Sequence, residues 1–188
     1  GGGATVRITY YKGKEDAHRI VSDIVSNGAI ADSFLLDIFN PEIAEQNISL
    51  DNWIPTHLYY FATPFIFSGV SGRFSTKLFR NFCDYYVTGF VNIINQMKNF
   101  DIRRIFYPST IAIEELPENM GEYVAAKIAG EALCSFLEKS HPHLKIHRPR
   151  LPRLATDQTN SIFPVENQDP APILLNELRK FRDLIEND

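Results

Sequence analysis

Cysteine is scarce in this chain. Two occur in 188 residues, Cys83 and Cys134, 51 positions apart. Two thiols set in apolar stretches make no disulfide framework, so a reducing compartment, the cytoplasm by default, is expected. Charge of one sign is scarce as well. Nineteen Lys and Arg stand against 23 Asp and Glu, a net −4, without the basic surplus that holds nucleic acid. No apolar run approaches the ~18 residues of a spanning helix, so no membrane segment is expected. His141, His143 and His147 cluster without the further ligands of a zinc site, so no metal is expected. Early glycine is confined to Gly1, Gly2, Gly3 and Gly13, and no secretory leader opens the sequence. What remains is 44% apolar and 22% charged, the make-up of one globular domain over 1–188 with a core.

Strand and helix periods alternate along the chain. Thr5–Tyr10 alternates β-branched and polar residues and reads as a strand. Residues 15–27 place Ala17, Ile20, Val21, Ile24 and Val25 on one helical face, with Gly28 as a cap. Ser33–Asp37 reads as a strand, Asn40-Pro41 as a helix start and Thr56–Phe61 as a strand. A long stripe from Phe79 to Met97 predicts one helix over 76–98. Arg104–Tyr107 is a strand ending at Pro108-Ser109-Thr110, and 121–138 is a helix whose Ala125, Ala126, Ala129 and Gly130 permit close packing. Leu144–His147 and a helix over 170–186, with Leu174, Leu175, Leu178, Phe181 and Ile185 inward, complete the series. The alternation predicts an α/β fold, a doubly wound parallel sheet with helices on both faces.

Chemistry concentrates late in the chain. Tyr123 and Lys127 are one helical turn apart, so both project from one face. An ammonium beside a phenol favours the phenolate, and a tyrosine so tuned passes a proton to a carbonyl oxygen near neutral pH. Ser109, 14 residues before Tyr123, falls at the carboxyl end of a strand, where open α/β sheets bind ligands.

With those residues in place, RRIFYPSTIAIEELPENMGEYVAAKIAGEAL, Arg103 to Leu133, resembles the strand-serine, loop and Tyr-x-x-x-Lys helix of the short-chain dehydrogenase/reductase family. The resemblance continues through TVRITY, SFLLD, THLYYFATP and HRPRLPRLATDQT. It implies a Rossmann-like sheet and catalysis by Ser109, Tyr123 and Lys127. It implies cofactor contacts at Asp37 (adenine), Ala62 and Thr63 (the turn after the fourth strand), Lys127 (ribose), and Pro149 and Thr156 (the loop over the nicotinamide). Lys12 and Lys14 stand where an acid would select NAD, so NADP is the expected cofactor, with Lys12 toward its 2′-phosphate.

Three departures accompany the resemblance. The Gly-x-x-x-Gly-x-Gly loop is absent, so the family's first strand and helix are expected to be missing and the edge beside Thr5–Tyr10 uncovered. The family's helix-four asparagine aligns with Tyr86, and its Pro-Gly with Pro149-Arg150. The implied activity is a ketoreductase-type reduction of a small or carrier-tethered carbonyl, as in a domain of a multidomain synthase, with a homodimer built on the two long helices. The alternative is a non-catalytic docking module of the same fold.

Overall fold

The computed structural model describes residues 3–40, 54–97, 102–154 and 168–183. They fall in two compact units, one within 1–54 and 92–99, the other within 55–91 and 100–188.

In the first unit β1 (Thr5–Tyr10) and β2 (Ile30–Leu35) pair in parallel, Thr5 opposite Ile30 through Tyr10 opposite Leu35, around the crossover helix α1 (Lys14–Ser26). Parallel neighbours need such a crossover, which is why the two periods alternate in the sequence. The cap of α1 is Asn27, one residue before the glycine expected there. Gly28 follows at φ 81°, a left-handed turn that costs glycine nothing. The strand expected over 33–37 begins three residues earlier and ends at Leu35. Asp37 therefore lies in the following turn, where its carboxylate accepts the Phe39 N–H at 2.9 Å. Ala17 alone is buried on α1, while Ile20 and Val25 are exposed. Among the described residues β1 pairs with β2 only, and neither strand buries a residue. The helix start at Pro41 lies outside the described residues.

In the second unit β3 (His57–Tyr59), β4 (Arg104–Phe106) and β6 (Lys145–His147) form a parallel sheet in that order, with β4 central and buried at all three positions. Beyond it, β5 (Ser109–Thr110) pairs in parallel with β7 (Arg150–Leu151). The helix expected over 76–98 is present in three pieces: α2 (Thr76–Cys83) and a π-helical stretch over Asp84–Gly89 in this unit, and α3 (Phe90–Gln96), which from Asn92 on is counted with the first unit. A short α4 (Ala112–Glu115) precedes α5 (Gly121–Ser140), and α6 (Pro170–Asp183) follows β7. Phe82 and Tyr86 meet Tyr123, Val124 and Ala126 in one core cluster, so α2 and α5 pack side by side. On α6 only Phe181 is buried, set among Tyr59, Phe106 and His147. Leu175, expected inward, is exposed, and Ile185 lies outside the described residues.

Two tyrosines explain the π-helical stretch. Tyr60 and Tyr107 each follow a strand, and because Tyr59 is opposite Phe106 their rings stack at 6.0 Å. The Tyr60 hydroxyl donates to the Tyr85 carbonyl at 2.6 Å and the Tyr107 hydroxyl to that of Tyr86 at 2.8 Å. A π-turn disturbs the regular helical ladder, and these hydroxyls give its carbonyls buried partners.

Candidate active site

The site grows from the carboxyl end of β4. The chain leaves the sheet through Tyr107 and Pro108 and pairs again at Ser109 and Thr110, where Ser109 N–H donates to the Pro149 carbonyl at 2.8 Å. Consecutive residues of an extended segment point to opposite sides. Ser109 Oγ accordingly donates to Glu131 Oε1 at 2.5 Å. Thr110 turns the other way: its Oγ1 accepts the Ala112 N–H at 3.2 Å, and its hydroxyl interacts with the Tyr123 phenol, working against the rise that burial causes. Glu131 is itself gripped by Arg150, at 2.9 Å through Nε and 2.7 Å through Nη2, while Arg150 Nη1 reaches Glu114 at 2.9 Å. The Arg150 fork holds the Glu131 carboxyl below its ordinary range, so the serine faces a charged acceptor.

Helix α5 brings Tyr123 and Lys127 to the same place, both only 7% exposed. Lys127 Nζ donates to the Pro108 carbonyl at 2.8 Å and stands 3.9 Å from the centroid of the Tyr86 ring. A desolvated cation over a ring face is held by the ring quadrupole. The Tyr86 hydroxyl and Thr63 Oγ1 are 2.6 Å apart, which fixes that ring. Burial pulls the Lys127 ammonium down to about 7, against Cys134 and Glu131, which favour its charge. Burial also raises the Tyr123 phenol, with the Thr110 hydroxyl opposing. The expected lowering of Tyr123 by Lys127 is thus reversed. The ammonium stands 5.9 Å from the Tyr123 ring, and desolvation outweighs any effect it has on that phenol.

Tyr123, Lys127, Ser109, Thr110, Ala62, Thr63 and Tyr86 line one cavity of about 670 Å³ in the second unit. Pro149 contributes its carbonyl to Ser109 from behind. Lys12, exposed with Nζ 5.8 Å from the Tyr11 ring, and Asp37 belong to the first unit. Thr156 lies outside the described residues. Thr110, Glu131 and the Tyr60–Tyr107 pair were not singled out from the sequence. The strand alternation at 109–110 was a signal for the first, and a tyrosine ending each of two neighbouring strands was a signal for the last.

The donor set suits a ligand rich in hydroxyl acceptors, such as a ribose. A buried ammonium with one carbonyl partner borders open space, and ribose hydroxyls are acceptors of the kind it lacks. Among the described residues no group of His, Cys, Asp and Glu is arranged to hold a metal ion, and no helix is long and apolar enough to cross a membrane.

No family model and no curated protein sequence matches the chain. Solved structures do match. An alcohol dehydrogenase from Thermococcus sibiricus complexed with 5-hydroxy-NADP superposes with a TM-score of 0.79 at 14% identity, over 99% of this chain and 81% of its own. A protein of Escherichia coli CFT073 described as a short-chain dehydrogenase, complexed with NADPH, gives 0.78 at 17% identity over 94% and 79%. The FolM alternative dihydrofolate reductase 1 of Brucella canis, complexed with NADP, gives 0.65 at 15% identity over 78% of this chain, which spans only 61% of that protein's length. The fold they share with this chain is the parallel α/β fold of short-chain dehydrogenases.

Proposed function

We propose that this chain, built on the short-chain dehydrogenase fold, forms the carbonyl-reducing centre of an NADP-dependent oxidoreductase. One observation carries the reading: a buried Tyr–Lys pair, one turn apart on α5, faces a strand-end hydroxyl across a shared cavity. When bound, NADPH would supply the hydride. The chain's own residues supply position and a proton. The Tyr123 phenol, which burial raises, is protonated at neutral pH and carries the proton that a carbonyl oxygen would receive. Ser109 Oγ is engaged by Glu131, so Thr110, which interacts with that phenol, would be the hydroxyl that shares the carbonyl oxygen with it. Lys127, titrating near neutrality, can return a proton toward the phenol between turnovers and would hold the nicotinamide ribose, with Ala62 and Thr63 on the adjoining wall. The resemblance also implies cofactor contacts at Lys12, Asp37, Pro149 and Thr156.

A ketoreductase acting on a small or carrier-tethered carbonyl, in the setting of a larger synthase, is the finer form of this proposal. A homodimer through α2 and α5 accompanies it, supported by exposed Ile128 and Phe136 on α5. The test is NADPH oxidation by the full-length protein across a panel of ketones and thioester-linked 3-oxo chains, with NADPH titrated by fluorescence. Turnover that disappears in Tyr123→Phe supports the reading, and no NADPH binding removes it. One observation favours the docking-module alternative: Ser109 and Lys127 already hold internal partners, Glu131 and the Pro108 carbonyl. That reading predicts intact folding and partner binding with no cofactor affinity at all.

A further inference from the structure

We infer that Arg153 is an anion-binding residue of the cavity, and that the ligand admitted beside Tyr123 carries a carboxylate. Three arginines lie within six residues, at 148, 150 and 153, and two have acids. Arg148 meets Glu138 at 2.6 Å, and Arg150 meets Glu131 and Glu114. Arg153 has no acidic partner among the described residues. Its guanidinium carbon stands 4.3 Å from the centroid of the Phe67 ring, and its Nε is buried without a hydrogen-bond partner. Its backbone is fixed by Gln168, whose N–H donates to the Arg153 carbonyl at 3.1 Å. Arg153, Phe67 and Gln168 line the same cavity as Tyr123 and Lys127.

The chemistry of the ligand follows from the way the arginine is held. Stacking occupies a face of the guanidinium and leaves its edges, where all five N–H donors lie, for an in-plane partner. An Nε–H left buried and unmatched is costly, and an acceptor with two coplanar oxygens satisfies it together with a neighbouring Nη. A carboxylate has that geometry. The described acid on the cavity lining is Glu115, which is exposed, so little negative charge inside opposes an anion. The reaction assigned to such a ligand rests on the reductase reading. The binding does not.

A cofactor phosphate has the same charge, so the experiment separates the two sources. Acetoacetate, levulinate and 5-oxohexanoate, each against its methyl ester, are titrated calorimetrically into the full-length protein, with and without NADPH, and assayed for turnover. At least one acid is expected to bind on the order of 10-fold more tightly than its ester. Arg153→Met should abolish that preference while leaving ester binding and NADPH affinity within about 2-fold. Arg153→Lys, which keeps the charge but not the fork, should retain part of it. Equal binding of acid and ester overturns the inference, as does an Arg153→Met protein that still prefers the acid. A loss of NADPH affinity in that variant overturns it in favour of a cofactor phosphate. If acids bind through Arg153 but nothing is turned over, the anion subsite stands and the reductase reading falls. If ketones are reduced regardless of Arg153, the reverse holds.

Discussion

At Ser109 and Thr110 two neighbouring hydroxyls carry different assignments, and single substitutions separate them. Thr110→Val keeps the side-chain shape and deletes the hydroxyl beside Tyr123, so turnover should fall about 10²-fold with little change in melting temperature. Ser109→Ala removes a hydrogen bond to charged Glu131 and should cost roughly 1–2 kcal/mol of stability, with turnover changed only several-fold. Tyr123→Phe should lower turnover by about 10² or more and leave NADPH affinity unchanged, measured by steady-state kinetics beside fluorescence titration. Lys127 gives a pH signature. Its folded value, about 7, lies below the unfolded 10.5, so the folded state binds fewer protons than the unfolded state between those limits. Stability therefore rises with pH across that window, and the burial penalty is fully felt below pH 7. Lys127→Met should be more stable than the parent at pH 6 by up to a few kcal/mol, and denaturant midpoints should converge as pH approaches 10. A gap that widens with pH would contradict this. The Tyr-x-x-x-Lys pair was legible in the sequence because helical spacing fixes a shared face. The choice between Ser109 and Thr110 was less so, because one register step decides which side each faces.

Helix α5 is where close packing sets the site. A Cβ at Gly130 would lie 2.0 Å from the Tyr107 hydroxyl and 2.8 Å from its ring, so glycine is what lets Tyr107 reach the Tyr86 carbonyl. Tyr86 in turn floors the Lys127 ammonium. Gly130→Ala should therefore cost more than its gain in helix propensity, about 2–4 kcal/mol by thermal or urea unfolding, and should displace Lys127 as well. An unchanged midpoint would mean that Tyr107 moves away freely. At this scale the apolar periods gave the positions of α1, α2, α5 and α6. They missed the π-helical stretch, because a helical stripe reads the same whether or not one turn is overwide. That turn depends on hydroxyls from Tyr60 and Tyr107, which arrive from strands distant in sequence. The stripe on α6 overstated burial for the same reason. Periodicity marks the apolar face, while the sheet beneath it has room for Phe181 alone to be fully enclosed.

For the whole molecule, exposed Ile128 and Phe136 share one face of α5 with Ala132, unbroken by charge. If that face joins two copies, Phe136→Glu should shift the protein from dimer to monomer in light scattering, since each copy would bury a carboxylate in an apolar contact. A dimer that persists in Phe136→Glu excludes this face. The sequence alone determined the α/β class, the parallel pairing and the Tyr–Lys face, because each follows from local period or from the need of parallel strands for a crossover. The tertiary structure decided the rest: which hydroxyl meets Tyr123, which ring receives Lys127, and which arginine remains unmatched. Those outcomes depend on desolvation and on contacts between segments tens of residues apart. Burial reversed the expected shift of Tyr123 and drew Lys127 down to about 7, and neither is written in the spacing of the two residues.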